Sequence, residues 1–341
     1  MSVQTLNPLN DLRWHELVAR HPLATVFHDP RWLDALSATY GYHPVAITTS
    51  GSERTLDNGW VFCHVNSWIT GKRLVSLPFS DHCDPLSSSP DELGEFAAYL
   101  KQLQHEQKWS YVEVRPRTVA PPIQHFQPSR SYVVQQLSLT PSSQQLFAQL
   151  HHDSIQRKIR RAERECISVQ EDHSGALLPQ FYLLQSMTRR RHCLPPQPPQ
   201  WFQHLARFFG NDCSIWLASQ NGQPIAAILT LRCGRRLVYK YGASDARFHA
   251  LGGMPYLFWK IIQHAKALDL TDLDLGRSDL DNLGLIKFKE HLGAVAYDLH
   301  YYRHGLEQTR AKKWVLPNWT SSWMPAWATN AAGRILYKHM G

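Results

Sequence analysis

The chain lacks paired cysteines, long apolar runs and dense charge, and each absence removes a class of protein. Its six cysteines (Cys63, Cys83, Cys166, Cys193, Cys213 and Cys233) are scattered, with no CxxC pair among them. That argues against a zinc ribbon or a disulfide scaffold and suits a reducing cytoplasm. The longest apolar runs, such as Pro224–Leu231 (PIAAILTL), fall far short of the roughly 20 residues a bilayer-crossing helix needs. The N-terminus has no basic segment followed by an apolar stretch, so a secretory signal is not expected. The 19 histidines form no HxxxH or HxH pair with carboxylate support, and no metal is expected. There is no serine nucleophile elbow and no Walker loop.

What is present is apolar and mildly basic. Over 341 residues, AVILMFWYC residues make up 43% and charged residues only 19%. Such a chain fills a core in each of two domains at roughly 150 residues per domain, so wholesale disorder is excluded. The formal net charge of +8 suits a partner carrying phosphates, whether nucleotide, RNA, lipid headgroup or coenzyme A.

Hydrophobic periodicity divides the chain into two α/β blocks and a tail. In the first, Pro30–Tyr40 and Asp91–Gln107 read as helices and Val45–Thr49, Gly59–Asn66, Arg73–Leu77 and Tyr111–Val114 as strands. The proline-rich Val119–Pro128 reads as a connector. The second block opens with a strand over Tyr132–Leu139 and helical stretches over Pro141–Glu165. Helices follow over Ala176–Arg191 and Pro199–Gly210. Asn221-Gly222 signals a type I′ hairpin between Ser214–Ser219 and Pro224–Cys233. Strand Arg236–Ala243, helix Met254–Leu268, strand Thr271–Leu275, helix Leu283–His291 and strand Ala294–Tyr302 complete it. The expected domains are 1–128, 129–310 and a Trp-rich tail, 311–341, packing back on the body.

That element order is the order of a GNAT acyltransferase domain, and three segments resemble the FemAB-like branch of that superfamily. This branch comprises the peptidoglycan-bridge aminoacyltransferases and their BioF-type relatives. The segments are Ile155–Ala162 (IQRKIRRA), Phe181–Phe202, and Asp274–Gly293 (DLGRSDLDNLGLIKFKEHLG). His21–Trp32, Leu74–Leu86 and Gly333–Tyr337 extend the resemblance over nearly the whole chain. It is nearest to the FemAB-like proteins that accompany exosortase and exopolysaccharide gene clusters. The resemblance implies an α/β (α+β) fold of tandem GNAT-like domains, each a mixed, mostly antiparallel sheet flanked by helices. The first domain would be a degenerate copy. It also implies transfer of an acyl or aminoacyl group from an activated ester or thioester to an amine of a cell-envelope or exopolysaccharide precursor. No tightly bound cofactor is implied. The donor would be acyl-CoA, an acyl carrier protein or aminoacyl-tRNA. Two departures stand out. The pyrophosphate loop of acyl-CoA-using relatives, Gln/Arg-x-x-Gly-x-Gly/Ala, corresponds to Asp245–Met254, where Arg247, Gly252 and Gly253 are differently spaced. The charged helical insertion of tRNA-using relatives has no counterpart.

Each candidate site residue has a competing structural explanation. Arg157, Arg160, Arg161 and Arg164 share a helix face suited to phosphates, or are neutralised by nearby carboxylates. The Thr188–His192 cations stabilise a helix end or bind substrate. Arg247 would join the phosphate contacts. Tyr239 and Tyr241 alternate onto one strand face, where they orient a substrate carbonyl or pack as core aromatics; Lys240 faces the other way. Asp274 could accept the proton of an attacking amine, or make a turn contact with Arg277, itself a candidate for substrate binding. The resemblance places Lys289 beside the transferred acyl group, where a cation would stabilise an oxyanion; the competing explanation is a surface lysine. Trp319, Trp323 and Trp327 are spaced to meet a membrane interface, which would make a cytoplasmic protein peripheral at the inner membrane. The competing functions are a non-catalytic GNAT-fold scaffold in polysaccharide assembly and nonspecific RNA binding.

Overall fold

A computed structural model describes residues 3–52, 54–87, 89–118, 123–305, 333 and 336–339. In chain order the first half contains β1 (Gln4–Leu6), α1 (Leu12–Arg20), α2 (Pro30–Tyr40) and β2 (His43–Thr48). It continues with β3 (Trp60–Ser67), β4 (Gly71–Val75), α3 (Pro90–Glu106) and β5 (Tyr111–Val114). The second half opens with β6 (Gln127–Ser138), α4 (Ser143–Gln149), α5 (Arg157–Arg164) and β7 (Ser168–Asp172). Then come α6 (Leu178–Arg191), α7 (Pro199–Phe209), β8 (Cys213–Gln220), β9 (Gln223–Cys233) and β10 (Arg236–Ser244). Last are α8 (Gly253–Ala267), β11 (Asp272–Asp279), α9 (Leu283–His291) and β12 (Val295–Gly305).

These elements cluster into two compact units. The first holds 3–132 together with 298–305 and 336–339; the second holds 133–297 and residue 333. The division near 132 lies close to the expected 128, but the end of β12 joins the first unit and not the block that precedes it in sequence. Most of the tail, 311–341, lies outside the described residues, including Trp319, Trp323 and Trp327.

In the first unit β1 to β4 form an antiparallel meander. β4 then pairs with β5 in parallel, Arg73 opposite Tyr111, which requires a crossover, and α3 supplies it. β12 adds antiparallel to β5, with Tyr302 opposite Val114. Alternating apolar residues of these strands, among them Trp60, Phe62, Leu74 and Val112, meet Phe96 and Leu100 of α3 in one core.

The second unit repeats the pattern. β7, β8, β9 and β10 are antiparallel neighbours, β10 pairs with β11 in parallel through the α8 crossover, and β6 lies beside β11. The Asn221-Gly222 turn has φ of 50° and 77°, the positive values a type I′ turn demands. α8 is buried at nine positions, because the sheet covers one side and α5 another. Leu257, Phe258, Ile261 and Ile262 are each at most 2% exposed, and burying each contributes about 1.5–3 kcal/mol. The other sheet face packs on α6 and α7.

Candidate active site

The site is built where β10 and β11 end and α8 begins. β11 kinks at Gly276, whose φ is 69°, a left-handed conformation that a side chain resists. Asp274, buried, fixes the kink by accepting the Gly276 N–H at 2.7 Å. The Lys289 ammonium, on α9, reaches the same segment: Gly276 O at 2.9 Å, Arg277 O at 3.3 Å and Ser278 Oγ at 2.9 Å. Three protein oxygens therefore lie within reach of a group that carries three N–H donors. Ser278 also donates toward Gln135 of β6, which donates to the Ile286 carbonyl of α9 at 2.9 Å. Phe288 anchors α9 against Phe258 of α8 at 5.7 Å between ring centroids. Lys289 is not a surface lysine: it is 2% exposed, and its nitrogen holds the end of β11. Arg277 is half-buried in that segment.

β10 carries a bulge. Tyr239 faces Thr230 of β9 while Tyr241 faces Leu229, so Lys240 is the extra residue. Thr230 and Leu229 are consecutive and point to opposite faces. The expected shared face for Tyr239 and Tyr241 is therefore wrong by one residue. Tyr239 packs on Phe258 at 5.0 Å, on the α8 side. Tyr241 accepts the Trp201 indole N–H at 2.7 Å and meets Phe202 edge-on at 5.1 Å, on the α7 side. Lys240 Nζ lies 5.7 Å from the Tyr241 ring centroid.

Between β10 and α8 the chain makes a short 3-10 turn, Ala246–Leu251. Buried Asp245 caps it by accepting the Arg247 N–H at 3.0 Å, and also takes the Arg247 guanidinium at 2.6 Å. Arg247 is therefore paired with a carboxylate while most of its side chain stays exposed. Gly252 then turns the chain with φ of 81°, and a Cβ there would lie 2.4 Å from the Lys158 carbonyl oxygen. Only glycine lets the loop approach α5 so closely. α8 starts with no side-chain cap and no acidic residue in its first turn, leaving its positive dipole end uncompensated.

Basic residues meet at that loop. The Arg191 guanidinium donates to Ser244 O at 3.2 Å, and His249 Nε2 lies 2.8 Å from Ser244 Oγ. Partial burial, followed by the charges of Arg191 and Lys158, holds the His249 pKa below its ordinary value. Lys158 and Arg191 belong to basic segments visible in the sequence, but His249 carried no signal beyond its loop. On α5, Arg157 pairs with Asp153 at 3.3 Å and Arg161 with Glu165 at 3.5 Å, all four well exposed. The neutralised-face explanation holds for these two; Arg160 is exposed on the same helix. Among the described residues no group of three or more His, Cys, Asp or Glu is placed to hold a metal.

This fold has known counterparts. Residues 150–290 match the family model of the acetyltransferase (GNAT) domain. A UDP-N-acetylmuramoylpentapeptide-lysine N(6)-alanyltransferase of Weissella viridescens is 28% identical over 96 residues, covering 28% of this chain and 29% of that protein. The aligned stretch is thus under a third of that relative's length. The crystal structure of FemX superposes with a TM-score of 0.67 at 12% identity, over 90% of this chain and 98% of FemX. A tandem GNAT protein from the clavulanic acid pathway gives 0.52 at 11% identity, over 90% of this chain and 100% of its own. The C-terminal domain of a putative lysylphosphatidylglycerol synthetase from Agrobacterium fabrum gives 0.56 at 10% identity, over 86% and 90%. Residues 150–290 thus resemble a GNAT acetyltransferase domain, and the mixed α/β fold is shared with FemX and with the tandem GNAT protein.

Proposed function

We propose that the second unit transfers an acyl or aminoacyl group from a phosphate-bearing thioester or ester to an amine of a cell-envelope precursor. The observation that carries this reading is the uncapped start of α8, reached through a loop where Arg191 and His249 meet Ser244 and the Lys158 backbone lies against Gly252. A pyrophosphate there would meet backbone N–H groups, the helix dipole and the basic residues of that loop together. Acyl-CoA or an acyl carrier protein meets that description. The names of the Weissella and Agrobacterium proteins support an envelope acceptor, of peptidoglycan or lipid type, and an exopolysaccharide precursor is a narrower form of the same reading.

In the proposed step the acceptor nitrogen attacks the donor carbonyl. A C–N bond forms, the C–S or C–O bond breaks, and the amine proton leaves with the thiol or alcohol. Lys289 acts as a positioning residue: its ammonium, with Asp274 behind Gly276, fixes the end of β11 and places positive charge beneath it. The β10 bulge sets Lys240 out of the strand register, on the strand that would flank the reacting carbonyl. Arg160 and Arg277 remain candidates for outer contacts to the donor or acceptor, and Tyr239 for orienting the carbonyl. The first unit is, on this reading, a degenerate GNAT-like domain.

Purified protein incubated with a panel of acyl-CoA thioesters and either UDP-N-acetylmuramoyl-pentapeptide or an amino-sugar polysaccharide precursor tests this by mass spectrometry. An amide product with one acceptor names the acceptor class. Donor binding without any product would favour the scaffold function instead, and no donor binding would overturn the phosphate assignment.

A further inference from the structure

Large apolar side chains left in water need a reason, and Trp68 is 84% exposed, more than any other large hydrophobic residue described. It sits at the tip of the β3–β4 hairpin in the first unit, on a turn that is built to be rigid. Ser67, 3% exposed, accepts the N–H groups of Ile69 at 3.1 Å and Thr70 at 2.9 Å. The His339 imidazole lies 3.0 Å from the same Ser67 hydroxyl. Thr70 and Arg73 both donate to the His339 carbonyl, at 3.0 and 2.9 Å. The indole meets this frame through an edge-on contact with the His339 ring, at 5.5 Å. The turn thus holds the tryptophan outward with little freedom to fold back.

The surroundings of the tip are basic. Lys72 on β4 and Lys338 beside His339 are both exposed, and so is Lys108. The Ser110 N–H bonds to the Lys72 carbonyl at 2.8 Å, which brings the 108–110 segment to this end of the unit. The acidic group nearest in sequence, Glu106, is engaged by Gln102 at 2.7 Å. An exposed indole at an end of the unit that also carries exposed lysines fits a headgroup layer, where indole prefers the polar–apolar boundary and lysines meet anionic lipid.

We propose that the β3–β4 tip is a peripheral docking point for an anionic phospholipid surface, with Trp68 inserting at the headgroup level and Lys72, Lys108 and Lys338 meeting lipid phosphates. This does not depend on the transfer reaction. It places contact on the described body of the protein, whether or not the Trp-rich tail adds to it.

Flotation of the full chain with vesicles of equal parts phosphatidylglycerol and phosphatidylcholine tests it, with pure phosphatidylcholine vesicles as the neutral arm. Partition into the anionic vesicles, weakened by salt, is expected. Trp68→Ala should lower it about tenfold, and Lys72→Glu or Lys338→Glu roughly fivefold or more each. Unchanged melting of Trp68→Ala serves as the folding control, since the ring makes so few contacts. Equal partition of wild type and Trp68→Ala would overturn the proposal, as would no partition at all. Self-association lost in Trp68→Ala without vesicle binding would assign the tip to a contact between copies and overturn it equally.

Discussion

The two units share one topological device and treat charge at it in opposite ways. Each carries a parallel strand pair bridged by a helix, β4–α3–β5 in one and β10–α8–β11 in the other. At the start of α3, Ser89 accepts the Asp91 N–H, and Asp91 and Glu92 occupy the first turn. The Glu92 carboxylate is held by Asn58 at 2.6 Å and by Ser87. That helix end is satisfied internally and repels anions. At the start of α8 there is neither a side-chain cap nor an acid in the first turn, and Arg191 and His249 hold the preceding loop at Ser244. The strands differ likewise. Glu113, in β5, is enclosed by Arg115 at 2.8 Å and Arg303 at 2.7 Å, and the two guanidiniums lie 4.9 and 4.2 Å from the Tyr301 and Tyr111 ring centroids. β11 instead ends in a kink whose carbonyls are held by one ammonium. The same supersecondary unit thus carries a sealed ion network in one place and, in the other, an uncapped helix start that the proposed function assigns to an anion.

The largest effect expected is at Lys289. Lys289→Ala leaves the Gly276 and Arg277 carbonyls and the Ser278 hydroxyl without their donor in a dry setting, and should cost about 3–5 kcal/mol of unfolding free energy. Turnover should fall with it. Denaturant melts and steady-state kinetics on the same preparation separate the alternatives: lost turnover at full stability would mean that Lys289 acts on substrate and not on β11.

Glu113 should behave in the opposite manner, altering stability but not chemistry. Burial pushes its pKa up, but the charges and hydrogen bonds of Arg115 and Arg303 outweigh that and bring it down to about 2. A carboxylate depressed on folding contributes stability that is complete above its unfolded pKa near 4.5 and is lost as pH falls through the folded value. The size is about 3 kcal/mol. Glu113→Gln should therefore be less stable by about that much at neutral pH and show a flatter acid limb between pH about 4.5 and about 2. Its KM and kcat per folded molecule should match wild type. A kinetic defect at full folding would break the contrast between sealed and open charge.

The helix starts provide the next test. Lys158→Glu or Arg191→Glu should raise the KM for a phosphate-bearing donor about tenfold or more, with kcat nearly unchanged, because each removes a charge-assisted contact worth about 1.5–3 kcal/mol. Asp91→Lys, the reciprocal change at α3, should leave donor KM unaltered. If both helix starts respond alike, the first unit also receives anions.

Much of this frame was legible in the sequence, and the exceptions have physical causes. The Asn221-Gly222 turn and the helix Leu283–His291 follow from local rules, and both stand at their expected positions. The GNAT order followed from the element succession and the Asp274–Gly293 segment. The pairing of Arg157 with Asp153 and of Arg161 with Glu165 was also readable, since both are four apart on one helix. Three things were not. The bulge at Lys240 has no glycine or proline to mark it, so strict alternation misplaced Tyr241 by one residue. Lysines are almost never fully buried, and the oxygens that accept Lys289 lie 11 to 13 residues away on a different element. The basic residues at the loop before α8 come from three segments that only the fold unites.

The smallest effect expected distinguishes the two tyrosines that the bulge separates. Tyr241 Oη receives the Trp201 N–H on the α7 side, and Trp201 is fully buried. Tyr241→Phe leaves that indole N–H without its acceptor and should cost about 1–2 kcal/mol, read as a lowered melting temperature. The ring stays packed on Phe202, and no reacting group lies on that side in the proposed step, so kcat and KM should hold. Tyr239→Phe tests the other face, where the hydroxyl is the candidate for orienting the carbonyl. There a several-fold loss in kcat with little change in melting is expected. Were the losses reversed, with Tyr241→Phe impairing turnover and Tyr239→Phe only stability, the reaction would have to be relocated to the α7 side of the sheet. The β11 kink would then be a structural feature, and the α8 start would retain anion binding without the chemistry beside it.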